Sequence, residues 1–311
     1  MKTTYRFAWI STIATYVVIF TGGLVRVSGA GLGCPDWPKC FGRWLPPFNA
    51  SQLPPSVDPS QFNYTLAWIE YINRLCGLTL GILIAITAIL VIINFTKVAR
   101  VLIPAIIAGL LVAFLGWQGG RVVTSELEPT IVSLHALLSL VLVSLMIYIT
   151  QQIHYILYPD AEKDRIYPSG ISMWLALAWG LSLAQVLVGT QVRGAIEVVR
   201  GLMPFVNAKV WLSSIGALLY IHTFLGILVI AAGVYVGLAI IMRSQNPSSL
   251  MWEGSWAVIL LMFLDILLGF GFLLTGTPPI MEILHLWVSS FVIGVLLMMY
   301  SAAKRQGRVA A

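Results

Sequence analysis

What the chain has least of is charge: Asp, Glu, Lys and Arg make up 10% of its 311 residues, against roughly 25% in a soluble domain. A soluble globular enzyme is excluded. Lys and Arg exceed Asp and Glu by 6, yet no basic stripe and no block of like charges occurs, so the surplus does not point to nucleic acid. Anionic headgroups or an anionic ligand suit it better. Acids are scarcest inside the apolar runs, where only Asp265 lies clearly mid-span. A transporter with parallel repeats, which needs a polar midplane and broken helices, therefore finds little support. Cys34 and Cys40 lack the C-x-x-C spacing of a redox or zinc site.

Apolar residues are present instead. They account for 59% of the chain, mean hydropathy is +0.92, and they fall in runs near the ~20 residues needed to cross a bilayer core. Runs near 7–27, 67–94, 102–122, 131–155, 171–194, 212–242, 255–275 and 282–302 predict eight transmembrane helices. Eight spans put both termini on one side. The tails and even-numbered loops hold Lys2, Arg6, Lys97, Arg100, Lys163, Arg165, Arg243, Lys304, Arg305 and Arg308, a modest bias that makes both termini cytoplasmic in a multi-pass plasma-membrane protein. Segment 28–66 is then one large outer loop, rich in Pro and Trp. The first run also has the outline of a cleaved signal peptide, with Lys2 and Arg6 before it and Ser28 and Ala30 after it. An uncleaved helix is preferred, because cleavage would leave seven spans and break the repeat described next.

Tyr71, Ile72, Asn73 and Gly77 in the second span correspond to Tyr220, Ile221, His222 and Gly226 in the sixth, an offset of 149. Leu134, His135 and Ser139 correspond to Leu284, His285 and Ser289 at an offset of 150. The first and fifth spans end alike, with Gly22, Gly23 and Arg26 beside Gly189 and Arg193, and the third ends on Gly119, Gly120 and Arg121. The expected fold is an all-α integral membrane protein with eight transmembrane helices as two pseudo-symmetric four-helix bundles. Residues 1–157 form the first half, 158–170 a cytoplasmic linker, and 171–311 the second half.

Three of the four histidines, His135, His222 and His285, lie inside apolar runs, where an ionisable group is expensive without a task or a partner. His135 and His285 sit four or five residues inside their spans and His222 about ten, all on the outer side. Repeat equivalence lets His222 and His285 face each other across one bundle, as axial ligands of a haem iron would. Structural zinc wants four ligands, and copper or non-haem iron more donors at close spacing. The plainer alternative is interhelical hydrogen bonding. His154, at the cytoplasmic end of the fourth span, reads as an ordinary interfacial residue.

In the first half Asn73 stands where the repeat expects a partner for His135, and an amide is a poor iron ligand. That bundle would hold haem by one protein ligand, leaving a position open for chemistry. Glu70, three residues earlier, lies on a nearby face and is either a proton-relaying carboxylate or an ion-pair partner of Arg74 at i+4. Cys34 and Cys40 are either a loop disulfide or two free thiols, and Cys76 a packing residue. Arg26, Arg121 and Arg193 at outward helix ends are candidates for haem propionates or simple headgroup anchors.

Gly22-Gly23-Leu24-Val25-Arg26, the run from Gly29 through Gly33-Cys34-Pro35-Asp36-Trp37-Pro38-Lys39-Cys40, and Trp68-Ile69-Glu70-Tyr71-Ile72-Asn73-Arg74 resemble the haem A synthase family of cytochrome oxidase assembly. The resemblance extends over nearly the whole chain. It implies hydroxylation of a methyl group of haem O, carried through to the formyl group of haem A, with oxygen from water. It further implies that His222 and His285 bind a permanent haem b, that His135 contacts the substrate haem, that Glu70 is the catalytic carboxylate, and that Cys34 and Cys40 form a disulfide. A haem O synthase would donate the substrate, and an unidentified electron acceptor, the lipid bilayer and a second copy of the chain are the further partners. Many relatives carry His at the place of Asn73, and some carry a second Cys pair in the segment Arg193 to Lys209, which here has none. A non-catalytic b-type membrane cytochrome or haem chaperone is the competing expectation, drawing on Asn73.

Overall fold

The computed structural model describes residues 1–163, 165–276 and 278–309. The side chain of Arg308 and residues 310–311 of the expected second half lie outside the described residues. The helices are α1 (Lys2–Val27), α2 (Tyr64–Asn94), α3 (Ala99–Thr124), α4 (Pro129–Leu157), α5 (Ile171–Leu202), α6 (Ala208–Ser214), α7 (Ala217–Arg243), α8 (Ser249–Thr275) and α9 (Pro279–Val309). All but the short α6 are long and apolar enough to cross a membrane, which makes eight spans among the described residues. The protein is an all-α, multi-pass membrane protein.

Helix starts are set by local chemistry. Asn63 Oδ1 caps α2 by accepting from Leu66 N at 3.1 Å, and Glu128 caps α4 through Thr130 N at 3.1 Å and Ile131 N at 2.8 Å with Pro129 at the first helical position. Those backbone donors hold the exposed Glu128 carboxyl below its usual range. The sixth span differs from expectation. Its helix does not run unbroken from 212: α6 ends at Ser214, Gly216 takes φ 57° and ψ −131°, and α7 begins at Ala217. The expected span absorbed Ser213 and Ser214 beside the break, because periodicity cannot register a positive φ that glycine alone adopts at low cost.

In the first half α1 packs on α2, α2 on α3, α3 on α4, and α4 back on α1. In the second, α5 packs on α7, α7 on α8, α8 on α9, and α9 back on α5. The two rings meet through α1 and α4 on one side and α5 and α9 on the other. The first ring is held partly by hydroxyls. Ser11 pairs with Thr87 at 3.0 Å and Thr12 with Thr150 at 3.1 Å, both buried, and such bonds contribute roughly 0.6 kcal/mol each between membrane helices. In the second ring, Gly233 and Gly237 leave no room for a Cβ against Met262 and Ile259, so α7 closes tightly on α8. Between the rings, Tyr16 stacks on Phe291 with centroids 4.6 Å apart.

The linker 158–170 is pinned to the second ring. Ile166 and Gln245 exchange backbone hydrogen bonds at 3.2 and 2.9 Å, and Tyr167 Oη donates to the buried Glu162 carboxylate at 2.6 Å while lying 3.2 Å from Ser248 Oγ. Burial is the main cause that raises the Glu162 carboxyl above its ordinary range and, likewise, pushes the Tyr167 phenol up to about 12. The folded state thus holds the Glu162 proton more tightly than the unfolded chain does. This contribution to stability is complete below about pH 4.3 and is lost as pH rises through the raised value. Glu162→Gln is expected to flatten the fall in thermal midpoint as pH rises above the ordinary carboxylate range; a slope equal to that of the unsubstituted protein would overturn this.

Candidate functional site

Three histidines sit at one depth. His135 is the seventh residue of α4, His222 the sixth of α7 and His285 the seventh of α9. The break at Gly216 brings His222 to the others' level; the expected ten-residue depth is corrected to five residues into its helix. His222 and His285 face each other with ring centroids 6.5 Å apart and planes at 74°.

A glycine of the preceding membrane-spanning helix faces each position. A Cβ at Gly189 would stand 3.1 Å from His222 Cε1, one at Gly269 3.6 Å from His285 Cε1, and one at Gly119 3.8 Å from His135 Cε1. At the fourth position a Cβ at Gly22 would stand 4.0 Å from Asn73 Oδ1. Gly119 and Gly269 are 150 residues apart, the offset of His135 and His285. Each candidate side chain thus lies against a glycine of another helix, and only at Gly189 would a Cβ crowd the ring.

The environment of each ring differs. His285 Nδ1 lies 2.8 Å from Asp265 Oδ1, although not in hydrogen-bonding alignment, and Ser289 Oγ donates to Asp265 Oδ2 at 2.7 Å. A carboxylate against Nδ1 orients an imidazole and leaves Nε2 for a metal. Gln185 Nε2 donates to the His222 carbonyl at 3.1 Å and lies 3.4 Å from His222 Nε2. His222 Nδ1 and His135 Nδ1 are buried without hydrogen-bond partners among the described residues. Two nitrogens left unsatisfied in an apolar bundle fit a metal-bound group. With ring centroids 6.5 Å apart, His222 and His285 would be the residues to hold one metal-centred group between them. Among the described residues no three of His, Cys, Asp and Glu gather as a metal cluster, so the pair is a two-donor set. His154 accepts or donates at 3.1 Å to Tyr5 Oη at the opposite end of the bundle.

Across the first ring, Asn73 Oδ1 accepts from Thr21 Oγ1 at 2.7 Å. Glu70 is buried and 4% exposed. Its Oε1 pairs with Arg74, whose Nε donates at 3.1 Å and whose Nη2 also contacts it. Its Oε2 accepts from Cys34 N at 3.0 Å. Arg74 then spreads over the loop, reaching Asp36 O at 2.8 Å, Lys39 O at 2.7 Å and Cys34 O at 3.0 Å. Cys34 and Cys40 are joined in a disulfide, and Asp36 closes the same turn through Phe41 N and Gly42 N. Gly33 lies directly against the backbone of Leu66, and the Trp37 ring rests on Gly120, where a Cβ would come within 2.9 Å. The loop therefore covers the ring end at which His135, Asn73 and Glu70 lie. Cys76 is a free, half-buried cysteine.

Of the arginines, Arg193 pairs with Glu197 at 3.0 Å and Glu282 at 3.0 Å, and Arg26 with Glu197 at 3.7 Å and the Thr190 carbonyl at 3.5 Å. Arg121 is exposed. The network ties α1, α5 and α9 together beside the paired histidines. Reasoning from the sequence missed Asp265 as a partner of His285, though it is the lone mid-span acid. It also missed Gly269, which the 150-residue offset predicts from Gly119, and Gln185, for which the sequence carries no signal.

Residues 5–297 match the COX15-CtaA family, described as cytochrome oxidase assembly protein. The chain is 30% identical to "Heme A synthase" of Shewanella oneidensis over 190 residues, 58% of this chain and 54% of that one. It is 22% identical over 298 residues to the protein of that name from Halalkalibacterium halodurans, with 93% of each chain covered. It is 24% identical over 322 aligned positions to that of Wolbachia sp. subsp. Brugia malayi, with 92% of each covered.

Proposed function

The chain belongs to the cytochrome oxidase assembly protein family, and from that premise we propose that it is a haem A synthase, a membrane oxidoreductase that converts the methyl group of haem O to the formyl group of haem A. The observation that carries the reading is the pair of facing imidazoles, His222 and His285, 6.5 Å apart in the second ring, beside a first ring in which His135 is the single histidine at that end. The second half, 171–311, holds haem b on that pair. The first half, 1–157, receives the substrate haem at His135, and Asn73 lies on the opposite wall. Haem b, when bound, supplies a one-electron acceptor for electrons leaving the substrate.

Each hydroxylation from water releases protons as well as electrons, so a base is needed beside the substrate. Glu70 is the carboxylate we assign. Arg74 engages its Oε1, while Oε2 takes one backbone donor and keeps acceptor capacity for a further proton. Arg74 holds the carboxylate in place and the disulfide loop screens it from bulk water. Arg26, Arg121 and Arg193 are assigned to propionates, with Arg26 and Arg193 sharing their donors with Glu197 and Glu282. Asp265 is the residue that orients His285.

The protein resides in the cell membrane with both termini cytoplasmic and the haem sites toward the outer side. Support comes from the cations at the terminal end and from the Cys34 to Cys40 disulfide at the other, which suits an oxidising compartment. A haem O synthase supplies the substrate, and the final electron acceptor is a separate redox partner. One observation favours a second reading as a haem chaperone or b-type cytochrome: Asn73 Oδ1 is occupied by Thr21.

Co-expression with haem O synthase, followed by haem extraction and mass spectrometry, separates the two. Haem A or its hydroxylated intermediate is expected from the unsubstituted protein and not from Glu70→Ala. Haem B with unmodified haem O alone, from folded protein with a working electron acceptor present, would replace the synthase by the chaperone reading.

A further inference from the structure

At the terminal end of the bundle, opposite the histidines, a cavity of about 260 Å³ opens between α4 and α9, with α3 at its edge. Its wall on α4 is Tyr148, Gln152 and Tyr155, one face at helical spacing; on α9 it is Ser301, Lys304 and Arg305 with Tyr300, and α3 adds Arg100. Three cations line it and no carboxylate does. Arg100 and Lys304 are exposed, with no acidic partner among the described residues. Arg305 is fixed in place, its guanidinium 4.8 Å over the Tyr155 ring and its Nη2 donating to Pro159 O at 2.6 Å. The nearby Glu162 carboxylate is already taken by Tyr167.

The hydrogen-bond inventory of the cavity is incomplete. Ser301 is 4% exposed, yet its hydroxyl has no partner among the described residues, and Arg305 Nε is likewise buried and unpaired. Such groups cost stability unless something satisfies them. A hydroxyl, guanidinium and ammonium set of this kind is complementary to phosphate oxygens.

Position selects the kind of phosphate. Arg100 is the second residue of α3, and Tyr155, Lys304 and Arg305 lie in the last turns of α4 and α9. All four therefore stand at the headgroup level of a bilayer spanned by these helices. Tyr148 lies seven residues below Tyr155 on the same face, about 10 Å deeper toward the hydrocarbon. We propose that the cavity is a specific site for an anionic phospholipid, its phosphodiester held by Arg100, Ser301, Lys304 and Arg305 and its acyl chains leaving past Tyr148 and Tyr300. The site seats one lipid across the seam where α4 of the first ring meets α9 of the second.

Native mass spectrometry of the full-length protein in detergent, titrated with phosphatidylglycerol, phosphatidylcholine or inorganic phosphate, tests this. One phosphatidylglycerol is expected to be retained in preference to phosphatidylcholine. Each interfacial cation removed is expected to weaken binding about fivefold, so Arg100→Gln with Lys304→Gln weakens it roughly 25-fold. Ser301→Ala lowers retention with the charge unchanged, and Lys97→Gln with Arg243→Gln, cations of the same end outside the cavity, leaves it intact. Equal retention of both lipids overturns the proposal, as does equal weakening by the Lys97 and Arg243 pair. Competition by inorganic phosphate as effective as that by the lipid would make the occupant a free anion and overturn it too.

Discussion

If the pair holds haem b as proposed, His222→Ala and His285→Ala are each expected to lower the haem retained by the purified protein more than tenfold. The pair is a two-donor set, so removing either ring removes half of what the second half offers an iron. Asp265→Asn is expected to fall between these and the unsubstituted protein, because loss of a carboxylate that orients a ligand typically costs 10- to 100-fold in metal affinity while the ligand remains. Ser289 Oγ, which donates to Asp265 at 2.7 Å, defines the milder end of the same series. Haem content and visible spectra of the detergent-purified variants give the ranking. Unchanged spectra in both histidine variants would remove the paired-imidazole site.

Arg74→Ala is expected to be the single substitution that most destabilises the loop between α1 and α2. Arg74 is 14% exposed in its side chain and Glu70 5%, and stripping the cation leaves a buried carboxylate unpaired, a change that costs about 3–5 kcal/mol. Three loop carbonyls, of Cys34, Asp36 and Lys39, lose their donor at the same time. Lys cannot restore the fork-shaped arrangement, since an ammonium is a point donor, so Arg74→Lys is expected to recover only part of the loss. Thermal unfolding and the rate of proteolysis between residues 34 and 63 read the effect. Native-like values in both would show that the disulfide alone holds the loop.

Much of the fold is legible in composition and periodicity. Eight apolar runs became eight spans, because a membrane demands length and apolarity and both are written in the residue types. The boundaries were less accessible: α5 runs to Leu202, eight residues past the expected end, since Arg193 and Glu197 read as polar loop but pair with each other and with Glu282 inside the protein. The Gly216 break was missed because the expected span absorbed Ser213 and Ser214, the small polar residues just before it. The histidines and Glu70 announced themselves as ionisable groups in the wrong solvent. Their partners did not. Gln185 and Thr21 are unremarkable polar residues until a neighbouring helix brings them to His222 and Asn73, and Asp265 gains its meaning from a histidine twenty residues further along the chain.

The seat of Trp37 on Gly120 bears on the order in which the molecule can be made. Residues 28–63 emerge between the first two membrane helices, and their bonds to Glu70 and Arg74 become available as soon as α2 has been inserted. The landing place for Trp37 is on α3, so the cap over the first ring stays unfinished until a third helix has crossed the bilayer. Oxidation of Cys34 and Cys40 can precede that event, because both its partners and Arg74 belong to the first hairpin. Biogenesis would thus cross-link the loop early and lay it over the first bundle late, after His135 and its neighbours have been drawn together beneath it.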